Sequence, residues 1–192
     1  MSPKPATTQA TIPLETERLR LIACAPTQLL ALIEHPDEFP SLVGCPVADG
    51  LRGFYVSGDV SPEWLTALRK AAGEPADPWR HGFFIIEKDA GTVVGSAGFK
   101  GAPDADGMVE IAYGVVSSRQ GQGFATEAAG ALVRFAAGDP RVRLLRAHTL
   151  PEANASTHVL RKCGFVHIGA VVDPDDGLVW RWERNAPHIG PA

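Results

Sequence analysis

In Glu17-Arg18-Leu19-Arg20-Leu21-Ile22-Ala23 polar and apolar residues alternate, the period of a half-buried strand. Residues 26–34 (Pro-Thr-Gln-Leu-Leu-Ala-Leu-Ile-Glu) predict a helix that stops before Pro36. Residues 40–60 carry Gly, Pro and single aromatics with no clear period. Ser61-Pro62-Glu63 then predicts a helix start, with serine as N-cap and proline at the first helical position, running to Gly73. From Gly82 the pattern turns to sheet. Residues 82–87 and 92–99 predict strands joined by a turn at Asp89-Ala90-Gly91. A second turn, Asp104-Ala105-Asp106-Gly107, leads into the third strand of a meander, residues 108–116, rich in β-branched and aromatic side chains. Residues 126–137 are dominated by helix formers. Residues 142–149 predict a strand, 154–163 a short helix, 165–172 a strand, and 178–184 a last strand that closes the sheet. Asp173-Pro174-Asp175-Asp176-Gly177 reads as a hairpin turn, because it lacks the spacing and terminal glutamate of a calcium loop. Helices, an antiparallel meander, then β-α-β-α-β-β predict one α+β (mixed α/β) domain.

Composition narrows the function classes. A chain of 192 residues is expected to be one domain, long enough to bury roughly 70% of its unfolded surface. At 45% hydrophobic and 21% charged residues it matches an ordinary globular protein. The net charge of -4 argues against a broad nucleic-acid footprint. No apolar run approaches the roughly 20 residues a membrane span needs. Residues 1–13 and 185–192 read as flexible tails around a domain at 14–184, and the N-terminus lacks an apolar signal core. Cys24, Cys45 and Cys163 lie far apart and read as reduced thiols of a cytoplasmic protein. The six histidines are scattered without ligand spacing, so no metal is expected.

The candidate chemistry begins at Gln120-Gly121-Gln122-Gly123-Phe124-Ala125, between a strand pattern and a helix pattern. A glycine-rich turn into a helix N-terminus leaves backbone N–H groups unpaired and pointing one way. The helix dipole adds partial positive charge there, so the segment predicts an anion cradle. A Walker A loop is excluded, since no Gly-Lys-Ser or Gly-Lys-Thr occurs. A dinucleotide fingerprint would need a small residue where Thr126 stands, and a βαβ start where the meander lies. On these residues alone the anion stays open.

The order of the pieces carries a resemblance. Residues 109–125 resemble the acyl-CoA-binding core of the GNAT N-acyltransferases, whose pattern [Gln/Arg]-x-x-Gly-x-[Gly/Ala] is filled by Gln120, Gly123 and Ala125. Residues 150–165, with Asn154 and Ser156 opening a helix that ends at Gly164-Phe165, look like that family's second signature. Glu17-Arg18-Leu19-Arg20-Leu21 is similar to the opening of the branch that acetylates N-termini of ribosomal proteins. The resemblance spans residues 14–184 and leaves 36–80 unexplained. It implies the GNAT fold, a central twisted, mostly antiparallel sheet flanked by helices. It also implies acetyl-CoA as co-substrate, no metal, and acetyl transfer to the amine of a peptide N-terminus or a small molecule. The pyrophosphate would lie on the N–H groups of Gly121, Gln122, Gly123, Phe124 and Ala125. The pantetheine arm would run between the strand ending at Val115 and the strand 142–149, and Asn154 would hydrogen-bond it. A homodimer remains open.

For the chemistry, Glu110 is the expected base. It alternates away from Val109 and Ile111 on an otherwise apolar strand, where a carboxylate is poorly solvated, and the similar glutamate in the family is assigned a base role, often through water. Many members carry a tyrosine where Leu160 stands here, so Ser156, as in the ribosomal branch, is the expected acid, or else an ordered water. Tyr113 shares a face with Ile111 and is expected in the core. A backbone N–H near Val115 is the expected oxyanion donor. Arg119, Arg161 and Lys162 could reach the nucleotide phosphates or be solvated surface charge. Phe54, Tyr55 and Trp79 are candidate acceptor walls. Trp180 and Trp182 read first as core and second as a substrate wall. The alternative function is a non-catalytic acyl-CoA-binding module that keeps the cradle and uses Glu110 structurally.

Overall fold

The alternation near the N-terminus resolves into strand β2 (Leu19–Ala23), which buries Leu19 and Leu21 and exposes Arg20. A two-residue strand, β1 (Leu14–Glu15), precedes it, and helix α1 (Pro26–Glu34) follows. These elements belong to a computed structural model that describes residues 13–56, 62–174 and 176–186. Most of the two predicted tails, and Ser61 as the predicted cap, therefore lie outside the described residues. The stretch without a clear period holds two helices, α2 (Phe39–Val43) and α3 (Gly53–Val56), each too short for a period to show. Helix α4 (Pro62–Lys70) ends before the predicted limit at Gly73. Helix α5 (Pro78–His81) is capped by Asp77, whose carboxylate accepts from the Trp79 N–H at 2.9 Å.

The meander forms as predicted, with β3 (Phe83–Glu87), β4 (Thr92–Phe99) and β5 (Met108–Val115) paired antiparallel. Helix α6 (Phe124–Ala137) then carries the chain to β6 (Leu144–Thr149), which pairs parallel with β5. A parallel pair needs such a crossover. Helix α7 (Ala155–Lys162) leads into the hairpin β7 (Val166–Asp173) and β8 (Gly177–Asn185). The eight-stranded sheet has the order β1-β2-β3-β4-β5-β6-β8-β7. The last strand thus inserts beside β6, and β7 forms the edge that the chain order assigns to β8. Burial explains the swap: β8 buries Val179 and Trp182, whereas β7 leaves Val166, Ile168 and Val172 exposed.

Helix α6 starts at Phe124, two positions before the predicted start at residue 126, and packs Ala128, Leu132 and Ala136 into the core with Phe83, Ile85 and Leu145. Its first turn is latched to the N-terminal strands. The Glu127 carboxylate accepts from the Thr16 hydroxyl at 2.5 Å and the Arg18 N–H at 2.7 Å, and pairs with the Arg18 guanidinium at 2.9 Å. Burial pushes this carboxyl up, but the bonds from Thr16 and Arg18 outweigh it and hold it below the ordinary glutamate range. A lowered folded-state pKa gives stabilisation that is complete above the unfolded value and fades as pH falls through the folded one. Glu127→Gln is therefore expected to cost about 1–2 kcal/mol at neutral pH, a figure discounted for the exposure of Arg18. The deficit against wild type should shrink as pH drops below the ordinary glutamate range. Denaturant melts across pH 3–8 check this, and a deficit that stays constant with pH would sink it.

Candidate active site

The turn between β5 and α6 is the predicted cradle. After a single turn of 3-10 helix, Ser117–Arg119, the chain reaches Gly121 and Gly123 with φ of 73° and 84°. Gly123 is the N-cap of α6, and no side chain caps that helix end. The N–H groups of Gly121 through Ala125 find no acceptor among the described residues, as an anion site requires. Arg18 braces the loop from below, donating to the Gln122 carbonyl at 2.9 Å and lying 4.7 Å over the Phe124 ring. Gln120 has another task. Its side-chain amide donates to the Val115 carbonyl at 3.0 Å and its backbone N–H to the Ser117 carbonyl, so it fastens the end of β5.

Beside the cradle the sheet opens. Strands β5 and β6 pair at Met108–Leu144, Val109–Leu145 and Glu110–Arg146, and no further pair joins them among the described residues. From Ile111 and Ala147 onward they diverge, while β5 keeps its pairing with β4 and β6 with β8. An extended ligand can lie in this V and bond to both inner edges, as the resemblance implies for a pantetheine arm.

Two cavities meet at the V. One, of about 400 Å³, is lined by Val115, Gln120, Gly121, Gly123, Phe124, Ala125, Ser156 and Lys162, which gathers most of the predicted co-substrate set. The other, of about 670 Å³, has a floor of Ser96, Gly98, Ala112 and Gly114 and walls of Phe54, Tyr55, Trp64, Arg80 and His81. Phe54, Tyr113 and Gly114 line both. Of the candidate walls, Phe54 and Tyr55 are part of the larger cavity's lining. Trp79 is not: its ring packs 4.5 Å from Phe99 and 5.1 Å from Phe135. Trp64, Arg80 and His81 belong to the wall without any periodic signal in the sequence. The larger cavity is nearly neutral. Burial and the adjacent Arg80 hold His81 below the ordinary imidazole range, burial keeps the Tyr55 phenol protonated, and Arg80 pairs with Glu74 at 3.0 Å.

Glu110 sits at the apex of the V, on the face it shares with Ala112 and Gly114. It is not the isolated carboxylate that the strand pattern suggests. Its Oε1 lies 2.8 Å from Lys100 Nζ and 3.1 Å from His148 Nδ1. Burial works against the charge on Lys100, but Glu110, with Asp176 and Asp173 nearby, outweighs it and holds the ammonium above its ordinary range. Neither Lys100 nor His148 was marked by a motif. The visible signal is that β6 alternates, with Arg146 and His148 polar between buried Leu145, Ala147 and Thr149.

On the other face, Tyr113 packs at the edge of the core. It is half-buried, its hydroxyl lies 3.4 Å from the Ser156 carbonyl, and burial pushes the phenol well up. Leu160, where a family tyrosine would stand, is fully buried, so the phenol beside Ser156 comes from the sheet and not from α7. Asn154 is the N-cap of α7, accepting from the Thr157 N–H at 3.1 Å, and it does not line the smaller cavity. Trp182 is buried and Trp180 lies against His167, so this pair is core, and Arg161 spends its guanidinium over Trp182 at 5.2 Å. Arg119 reaches the smaller cavity while paired to Glu87 at 2.9 Å. No cluster of three metal-ligating side chains occurs among the described residues.

Comparisons with known proteins agree with this geometry. The uncharacterized N-acetyltransferase YjdG of Bacillus subtilis is 33% identical over 90 residues, 47% of this chain and 51% of that protein. The chain thus spans about half the length of the curated relatives it matches. The ribosomal-protein-S5-alanine acetyltransferase of Vibrio fischeri superposes with a TM-score of 0.62 at 14% identity, covering 94% of this chain and all of that one. The ribosomal L7/L12 alpha-N-protein acetyltransferase RimL, solved with coenzyme A, gives 0.61 at 18% identity over 92% of this chain and 98% of that one. At such identities the likeness establishes the fold. The family model for the acetyltransferase (GNAT) domain matches residues 54–166, which run from the wall of the larger cavity through the cradle and the V to the first residue of β7. With more than half of the chain matched, and the matched part holding the site, this protein belongs to the GNAT acetyltransferase family.

Proposed function

We propose that this protein transfers an acetyl group from acetyl-CoA to an amine held in the larger cavity. The observation that carries the reading is the junction at Phe54, Tyr113 and Gly114, where a donor cavity bearing a phosphate cradle meets a second, nearly neutral cavity. The cradle N–H groups fit a pyrophosphate, Ser156 and Lys162 line the same cavity, and the inner edges of β5 and β6 fit a pantetheine arm. Direct attack suits this arrangement. The amine must be neutral to act as nucleophile, and a cavity with Arg80 in its wall and no carboxylate among the described residues of its lining gives an ammonium ion no counter-charge. The Glu110 carboxylate supplies the negative charge that draws the proton from nitrogen. A backbone N–H near Val115 serves the oxyanion. Ser156, with the protonated Tyr113 phenol close by, supplies the proton that the leaving thiolate needs.

The test is calorimetric titration with acetyl-CoA and with CoA, followed by an amine screen scored by thiol release. Saturable binding of both is expected, with a stability gain of about 2.7 kcal/mol at a hundredfold excess over Kd. Glu110→Gln is expected to keep that binding and lose about a hundredfold in kcat. Binding without transfer to any amine would point to the non-catalytic module, and no binding at millimolar acetyl-CoA would remove both readings.

A further inference from the structure

His148 lies two residues beyond Arg146, the last residue of β6 that pairs with β5, so its side chain stands where the V begins to open. It is 9% exposed, and Glu110 beside it is 15% exposed. The Glu110 oxygen that faces its Nδ1 at 3.1 Å also takes the Lys100 ammonium at 2.8 Å. A carboxylate paired with an ammonium only accepts hydrogen bonds, so the ring must donate through Nδ1–H. The neutral imidazole is thereby fixed in the tautomer whose Nε2 carries the lone pair. That Nε2 is buried and has no hydrogen-bond partner among the described residues. Leaving a buried acceptor unmatched costs about 1–3 kcal/mol, and such atoms in folded proteins call for an explanation.

We propose that Nε2 of His148 is the atom that receives the proton from the acceptor amine, and that Glu110 acts through it as a positioning carboxylate. The inference rests on the acetyl-transfer reading above and assigns its proton. The nitrogen lone pair forms the C–N bond to the thioester carbonyl, whose π pair moves to oxygen. The proton lost by nitrogen moves to Nε2, giving an imidazolium held by Glu110. Collapse restores the C=O, breaks the C–S bond and sends the pair to sulfur, which is protonated to give free CoA. The ring then returns its proton to solvent. The charged groups on this face are Lys100 before β5, Glu110 on β5, Arg146 on β6, Arg181 and Glu183 on β8, and Asp173 and Asp176 beside Lys100 at the β7–β8 turn. Arg146 and Glu183 neutralise one another at 2.7 Å. Arg181, the cross-strand partner of His148, has its own Nε buried and unmatched among the described residues.

Two measurements on the full chain test this. Histidine-selective 15N NMR of the wild type should show His148 as the Nδ1–H tautomer with a bare Nε2, and an Nε2–H signal would overturn the assignment without any assumption about the acceptor. Kinetics with alanyl- and seryl-led tripeptides and benzylamine supply the second. His148→Asn can still offer an amide N–H to Glu110 but has no Nε2. It should bind acetyl-CoA within about twofold of wild type, lose about a hundredfold or more in kcat, and lose the acid limb of the kcat/KM profile. The double variant with Glu110→Gln should be little worse than His148→Asn alone, because the two act as one unit. A His148→Asn enzyme within threefold of wild type, with an unchanged pH profile, would overturn the proposal while leaving acetyl transfer standing. A wild type that transfers to none of these amines would remove the parent reading, and this inference with it.

Discussion

Gly123→Val is expected to raise the Kd for acetyl-CoA about a hundredfold while the protein stays folded. Gly123 holds φ at 84° as the N-cap of α6, a region in which a β-branched residue is a rare outlier. Any Cβ there would also meet Arg18 Nη2 at 3.3 Å, disturbing the side chain that braces the loop. The strain, of order 1–3 kcal/mol, is relieved by rotating the peptide units whose N–H groups form the cradle. Charge-assisted hydrogen bonds are worth roughly 1.5–3 kcal/mol each, and about 1.4 kcal/mol is a factor of ten in Kd, so losing one or two gives the stated effect. Gly177→Ala is the control. Gly177 also has a positive φ, 71°, with nothing near its would-be Cβ, but it lies at the start of β8. It should melt somewhat lower and bind acetyl-CoA as wild type does. Equal calorimetric affinity for Gly123→Val and wild type would mean that the turn does not set the cradle.

The second large effect is expected at a glycine with no special backbone angle. A Cβ on Gly95 of β4 would collide with the Gly114 carbonyl oxygen and stand 3.1 Å from the Val115 Cα, and these are backbone atoms that cannot rotate away. Gly95→Ala must therefore push β5 off β4 at the residues where the two cavities meet. Overpacking a core costs typically 1–3 kcal/mol when side chains can adjust, so about 3 kcal/mol is expected here. For a domain of this size that is a fall in Tm of roughly 6–12 °C. Amine acetylation should fall at least tenfold in kcat/KM even at temperatures where the variant is folded, since an ångström of displacement at a reacting centre is costly. A variant that melts within a degree of wild type and turns over normally would show that β5 can slide without consequence.

These two glycines illustrate what a sequence can and cannot disclose. Gly123 was legible because it sits in a pattern, a glycine turn feeding a helix, whose physics is local. Gly95 looked like one more small residue in a strand; its requirement comes from β5, some twenty residues away in sequence but in contact across the ladder. The meander, α6, β6, α7 and the final hairpin were likewise visible from their periods, whereas the strand order was not, because inserting β8 beside β6 depends on which hairpin face finds a core. At the site, Glu110 stood out as a charge on an apolar strand, but its partners Lys100 and His148 come from two other segments and carry no motif. Tyr113 read as core because Ile111 shares its face, and the opening of the sheet is what brings its hydroxyl to Ser156. Of the larger cavity's walls, Phe54 and Tyr55 were named from the sequence, whereas Trp64, Arg80 and His81 carried no signal, in part because α5 is a single turn long.

The sheet consists of two leaves joined by a short backbone seam. Strands β1 to β5 make one leaf and β6, β8 and β7 the other, and the backbone seam between them is the three pairs from Met108–Leu144 to Glu110–Arg146. Beyond the seam each leaf presents a strand edge to the gap, and edge amides open at lower free energy than those inside a ladder. A molecule bonded to both edges acts as a splint that sets the angle between the leaves. The angle of the leaves in turn sets how far the Tyr113 hydroxyl on one stands from His148 on the other.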